Sequence, residues 1–149
     1  MKKTIFLLGL FFSTLFFAQE TLSQDTIKTI SNVPNYKELV KKKINLKDAV
    51  MVAEKEPEFP GGFNVFKQKF FEAMPTINLK QNQKLDTYIY FIVEKDGYVR
   101  NVAAVGSNKK HSEAAETGIK RIPTRWKPAM NGDKPVRYMY MIPLVAKKY

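Results

Sequence analysis

A chain of 149 residues with no cysteine and a single histidine excludes disulfide bonding, a thiolate nucleophile and a multi-histidine metal site, and its length suits one domain carrying an export signal. Lysine and arginine outnumber the acids 25 to 14, and the formal net charge of +11 argues for attraction to anionic surfaces rather than for any fold. With no disulfide to staple it, the domain must fold on its core alone, and an aromatic content of 13% supplies one.

Lys2 and Lys3, the apolar run over residues 4–17 and Ala18 form the pattern of a cleaved signal peptide over residues 1–18, with Gln19 opening the mature chain. The rival reading is a membrane anchor. Fourteen helical residues reach only about 21 Å, short of a hydrocarbon core of about 30 Å. Residues 19–51 read as a polar, basic spacer. Within it residues 36–48 suit a short basic helix, and the run Lys41-Lys42-Lys43 there is either a solvated face or a contact for anionic lipid or glycan.

The folded domain is expected over residues 52–149. Pro60 followed by Gly61 and Gly62 breaks any earlier element. Phe63, Phe66, Phe70, Phe71 and Met74 then recur on one face of an amphipathic helix, which Pro75 ends. Thr87, Ile89, Phe91 and Val93 alternate with Tyr88, Tyr90 and Ile92 and predict a strand. Lys95-Asp96-Gly97 supplies a turn and residues 98–105 the return strand. A second helix is expected over residues 112–121, with Ser112 as its N-cap, and His111 just before it reads as a surface residue. Trp126 follows as a core aromatic. The last strand is expected over residues 136–145, with Val136, Tyr138, Tyr140 and Ile142 on one face.

This order predicts an α+β fold: two helices packed on a three-stranded antiparallel sheet of order 2-1-3, in the sequence α-β-β-α-β. Both helices cover one face. The other, carrying Tyr88, Tyr90, Arg100, Met139 and Met141, is left solvated or serves as a contact surface.

Four segments in this order carry a resemblance: residues 52–62, residues 90–97, residues 122–129, and residues 131–136 leading into Ile142-Pro143-Leu144. Together they resemble the C-terminal domain of TonB, in the form common among energy-transducer-like proteins of Bacteroidetes-type bacteria. The likeness spans residues 52–145. It implies a TonB C-terminal-like fold and, as partner, the plug-side N-terminal peptide of a TonB-dependent outer-membrane receptor. It also implies that residues 60–62 lie near the entry of that peptide. The chain departs from the family in its short apolar segment, in a spacer with one proline, and in the stretch Met74-Pro75-Thr76-Ile77-Asn78-Leu79, which lacks the family's usual pattern before the first strand.

Candidate partner-binding residues are Phe59, Pro60, Gly61, Gly62, Arg137, Met139 and Met141. Gly61 and Gly62 let another backbone come close, although helix punctuation explains them as well. Arg137, Met139 and Met141 are the outward members of the last strand. Glu94 and Asp96 sit at a hairpin turn and need no acid–base role, and Asp96-Gly97 lacks the spacing of a calcium loop. No catalytic, cofactor-binding or metal residue is expected. Aromatics and lysines interleave over residues 66–71 with core periodicity, so no nucleic-acid partner is expected.

The expected function is that of an exported, non-enzymatic protein-binding module, periplasmic or secreted, that takes up an extended segment of an envelope protein by strand addition. Two alternatives stand beside it. One is a structural envelope protein held to anionic glycan or lipid headgroups by peripheral membrane contact, with homodimers formed through the edge strand. The other is an inner-membrane-anchored energy transducer, which requires that the N-terminal segment is not cleaved.

Overall fold

A computed structural model describes residues 29–78 and 85–146. The expected signal peptide, its cleavage site and the first part of the expected spacer lie outside the described residues. A 3-10 turn at Ile30–Asn32 leads into α1 (Tyr36–Lys41), β1 (Ala49–Val50), α2 (Phe63–Ala73), β2 (Leu85–Val93), β3 (Val99–Val105), α3 (Lys109–Lys120), β4 (Ala129–Asn131) and β5 (Lys134–Ala146).

β2 is the centre of the fold. Ile89, Phe91 and Val93 point to one face of the sheet, Tyr90 and Ile92 to the other, and all five are buried. Alternation normally marks a half-buried strand. Here both alternating sets are apolar and both are covered. The hairpin to β3 closes as expected: the Gly97 N–H donates to the Glu94 carbonyl at 2.8 Å, and the Glu94 N–H to the Tyr98 carbonyl at 2.9 Å. Gly97 sits at φ +83°, and a Cβ there would lie 2.0 Å from the Trp126 carbonyl oxygen. The turn can therefore dock on residues 125–126 only with glycine at this position.

The three antiparallel strands β3, β2 and β5 lie side by side in the expected order, but the sheet is mixed and five-stranded. β1 adds in parallel to β5, with Ala49 opposite Arg137 and Val50 opposite Tyr138, and β4 forms a hairpin with the first residues of β5. Strands of two and three residues are too short to show a period of two, so the sequence pattern misses them.

α2 and α3 pack on the first face over Phe59, Phe66, Phe70, Phe91, Ile119 and Trp126. α2 stops at Ala73, and Met74, before Pro75, has left helical angles at ψ 126°. Of its expected apolar face, Phe66 and Phe70 are buried while Phe63 and Phe71 stand 41% and 62% exposed. Trp126 is 2% exposed, with its ring 5.1 Å from Phe59 and 4.9 Å from Phe66.

The second face is neither solvated nor a free contact surface. Residues 29–51, read from sequence as part of a spacer, pack across it: Val33 and Leu39 bury against Tyr90, Ile92, Ala103 and Met139, with Ile44, Leu46 and Met51 at the margin. The Tyr90 hydroxyl donates to the Pro34 carbonyl at 2.6 Å, and burial pushes its pKa up to about 12. Lys42, from the basic run, reaches Glu116 of α3 at 2.5 Å. Burial raises the Glu116 pKa, but the bonds from Lys42 and from the Ala104 N–H, with the Lys42 and Lys120 charges, bring it below the ordinary value.

α3 begins three residues earlier than its sequence suggests. Asn108, not Ser112, is the N-cap, and its side-chain oxygen accepts the His111 N–H at 3.2 Å. His111 is buried in the first turn, its Nδ1 2.7 Å from Thr87 Oγ1, which corrects its reading as a surface residue.

Candidate interaction site

The two edges of the sheet differ in what they leave open. On β3, the register shifts between Tyr90–Ala103 and Ile92–Arg100, so an extra residue bulges out, and Asn101 sits there at φ +54°. The Asn101 side-chain oxygen accepts the Asn45 N–H at 3.1 Å, and Glu116 accepts the Ala104 N–H at 2.9 Å. A bulge, an asparagine and a carboxylate thus occupy that edge, as edge protection requires.

β5 is different. It pairs with β2 without a break from Tyr138 to Ala146. On its other side β1 reaches only Tyr138. Among the described residues no strand covers the outward edge beyond Met139. Pro143 stands opposite Tyr88. A proline inside a strand is tolerated where its missing N–H faces away from the partner strand. Backbone groups alternate along a strand, so Met139 and Met141 direct their backbone groups outward with Pro143; the parallel Val50–Tyr138 step of the β1 ladder takes up the Met139 N–H, and the Met141 N–H is the next donor left open.

A wall runs beside this edge. Lys55 and Met130 exchange backbone bonds of 3.0 and 2.9 Å, and Glu58 and Lys127 do the same at 3.0 and 2.9 Å. The Tyr140 hydroxyl donates to the Pro57 carbonyl at 3.0 Å. The wall ends in a tight turn in which the Gly62 N–H donates to the Phe59 carbonyl at 2.7 Å. Pro60 and Gly61, at φ +85°, hold its centre in type II geometry, and Gly62 caps α2 at φ 88° and ψ 174°, a region open essentially to glycine. Between wall and edge lies a groove of about 410 Å³ lined by residues 56–59, Phe63 and residues 140–143.

The groove is aromatic with an acidic rim. Phe63 and Tyr140 face each other at 5.9 Å, and Glu56 and Glu58 stand at the wall. Burial, and then the Glu56 charge, push the Tyr138 and Tyr140 phenols above their ordinary value. Glu58 pairs with Lys127 at 3.6 Å across a largely exposed gap.

Of the seven residues singled out by sequence, the groove takes Phe59 and Met141. Pro60, Gly61 and Gly62 form the turn beside it and serve as punctuation. Met139 is 1% exposed and belongs to the second core. Arg137 points inward too. Its guanidinium forks onto Glu94 at 2.7 and 2.9 Å, reaches the Asn45 carbonyl at 3.0 Å and donates to the Lys47 carbonyl. The bond to Glu94 first, and its charge, hold Arg137 above its ordinary pKa. Arg137 is a latch for residues 45–47, not a free cation. Glu56, Glu58, Phe63, Tyr140, Ile142 and Pro143 escaped the sequence reading. Two signals could have found them: the alternation Glu54, Glu56, Glu58 of an extended segment, and a proline inside a strand.

Among the described residues no group of three acidic, histidine or cysteine side chains is placed to hold a metal ion, and no helix is long and apolar enough to cross a membrane. No family model matches the chain, and neither a curated protein nor a solved structure matches it.

Proposed function

We propose that this protein is an exported, non-enzymatic binding module of the cell envelope that takes up an extended segment of a partner protein as a strand on the outer edge of β5. The observation that carries this reading is the asymmetry of the sheet. One edge is blocked by a bulge and two side chains, while the other is open beside a preformed groove. Strand addition draws its affinity from backbone bonds and its specificity from alternate side chains. The Met141 N–H, with the carbonyls of Met139, Met141 and Pro143, allows about four bonds. At about 1 kcal/mol each these give a Kd of roughly 1 mM before the groove adds its contacts. Such capture is weak and reversible. The resemblance of residues 52–145 to the TonB C-terminal domain points to the plug-side peptide of an outer-membrane transporter as the segment, and to the periplasm as the place.

The test uses overlapping synthetic peptides covering the N-terminal segments of the source cell's outer-membrane transporters. Hydrogen exchange at the Met141 amide is followed as each is added. A binding peptide is expected to protect this amide, and Met141→Pro, checked by circular dichroism for an intact fold, is expected to lose the peptide. A peptide that binds without protecting the Met141 amide, or that binds the folded Met141→Pro variant as before, removes the β5 edge as the site.

A further inference from the structure

The groove beside β5 has a polarity opposite to that of the chain. Basic residues exceed acids by 25 to 14 overall. Yet Glu56 and Glu58 line this groove, and no lysine or arginine does among the described residues. Both residues line the groove on the side of the wall. Below them lie the rings of Phe63, 41% exposed, and Tyr140.

An aromatic floor under a carboxylate rim suits one kind of side chain. Lysine and arginine lay an apolar stem on a hydrophobic surface while the charged head reaches past it. The head is also attracted to ring faces. Phe63 already accepts a cation in this molecule: Lys67 Nζ lies 5.8 Å from the centre of its ring. The Lys127 partner of Glu58 is mostly exposed, so an arriving cation can replace or share it at little cost.

We infer that the segment taken up by β5 is cationic, with lysine or arginine at alternate positions facing Glu56 and Glu58 across the rings of Phe63 and Tyr140. This rests on the strand-addition reading and adds the chemistry of the partner to it. A second copy is a poor occupant, because symmetric pairing through β5 would bring the same acidic rim to the site in place of a cation.

The probes are a seven-residue peptide alternating valine and lysine, capped at both ends, and its counterpart with glutamate for lysine. Binding of each labelled peptide to the full mature protein is read by fluorescence anisotropy. The lysine peptide is expected to bind roughly tenfold more tightly, a ratio set by two exposed ion pairs. The preference should shrink as salt shortens the Debye length from about 10 Å to about 3 Å. The double variant Glu56→Lys, Glu58→Lys is expected to prefer the glutamate peptide, and Met141→Pro to lose both. If that variant fails to fold, a lysine peptide N-methylated on alternate amides replaces it and is expected not to bind.

Equal binding of the two peptides, lost for both with Met141→Pro or on N-methylation, leaves strand addition standing and overturns the cationic partner. Binding of neither peptide overturns both. So does a lysine peptide that binds as well when N-methylated. Self-association of the protein alone that Met141→Pro abolishes assigns the edge to a second copy and overturns the inference.

Discussion

Leu39→Ala tests whether residues 29–51 belong to the folded unit. Leu39 is 0% exposed, although it lies in a helix of only six residues. It packs in a cluster with Tyr90, Ile92, Ala103 and Met139, all on the sheet face opposite α2 and α3. Truncating a buried leucine removes its transfer free energy and leaves a cavity, together about 2–5 kcal/mol. At about 4 °C per kcal/mol for a domain of this size, the thermal midpoint should fall by about 8–20 °C. Val40, the next residue, is 53% exposed and serves as the control. Val40→Ala should stay within about 0.5 kcal/mol. Thermal and urea unfolding of the two variants gives the comparison. Hydrogen exchange at β2 then shows whether Leu39→Ala weakens the whole domain or lets the segment lift off alone. If Leu39→Ala behaves like Val40→Ala in both assays, the segment is a tether and the second core does not hold it.

Gly97→Ala should be severely destabilising, because the new Cβ meets both a positive φ and the Trp126 carbonyl at 2.0 Å. About 2–4 kcal/mol is expected from the denaturant midpoint, and a loss under 1 kcal/mol would show that the turn is free to move off residues 125–126. His111 gives a pH signature. Burial holds its pKa below 6.5, with the Asp86 charge opposing in part, so the folded protein binds fewer protons than the unfolded chain as pH falls. Its contribution is complete above about pH 6.5 and is lost below it, at no more than about 1.4 kcal/mol per pH unit. His111→Gln should flatten the slope of unfolding free energy between about pH 6.5 and pH 5, whatever its effect on absolute stability; an unchanged slope assigns the acid sensitivity to other groups.

The elements with a long period were legible from sequence. Eleven residues of α2 and nine of β2 carry enough repeats to set type and facing, and Pro75 and Gly97 mark where they end. What escaped is short or ambiguous. The short basic helix over residues 36–48 was legible and α1 lies within it, but with six residues and one fully buried position, Leu39, its apolar side shows no recurrence among lysines, so its packing on the sheet did not show. Without that cover in view, Tyr90 and Met139 read as surface although both are core. His111 misled for another reason. A histidine beside two lysines looks solvated, and only the tertiary fold brings Thr87 to it. Arg137 looked free because its partners, Glu94 and the carbonyls of residues 45 and 47, lie 43 to 92 positions away.

Covering the second face also moves the proposed recognition site. While Tyr88, Tyr90, Met139 and Met141 stood as a free surface, a partner had a broad face to dock on. Once residues 29–51 occupy it, the open backbone groups of β5 and the groove beside them are what the sheet leaves unpaired. The same segment sets where that edge begins. β1 pairs as far as Tyr138, and its approach is fixed by Arg137, which grips the carbonyls of Asn45 and Lys47 just before β1 while anchored on Glu94 at the end of β2. A strand register is weakly specified when only two residues pair, because so few ladder bonds and side-chain contacts hold it. The Arg137 fork supplies that specification from outside the ladder. Its geometry is bidentate and its ion pair largely buried, the arrangement in which an arginine is hardest to replace by lysine. Arg137 therefore acts on the candidate site without touching it: by fixing where β1 stops, it fixes the Met139 carbonyl and the Met141 N–H as the first open groups of the edge.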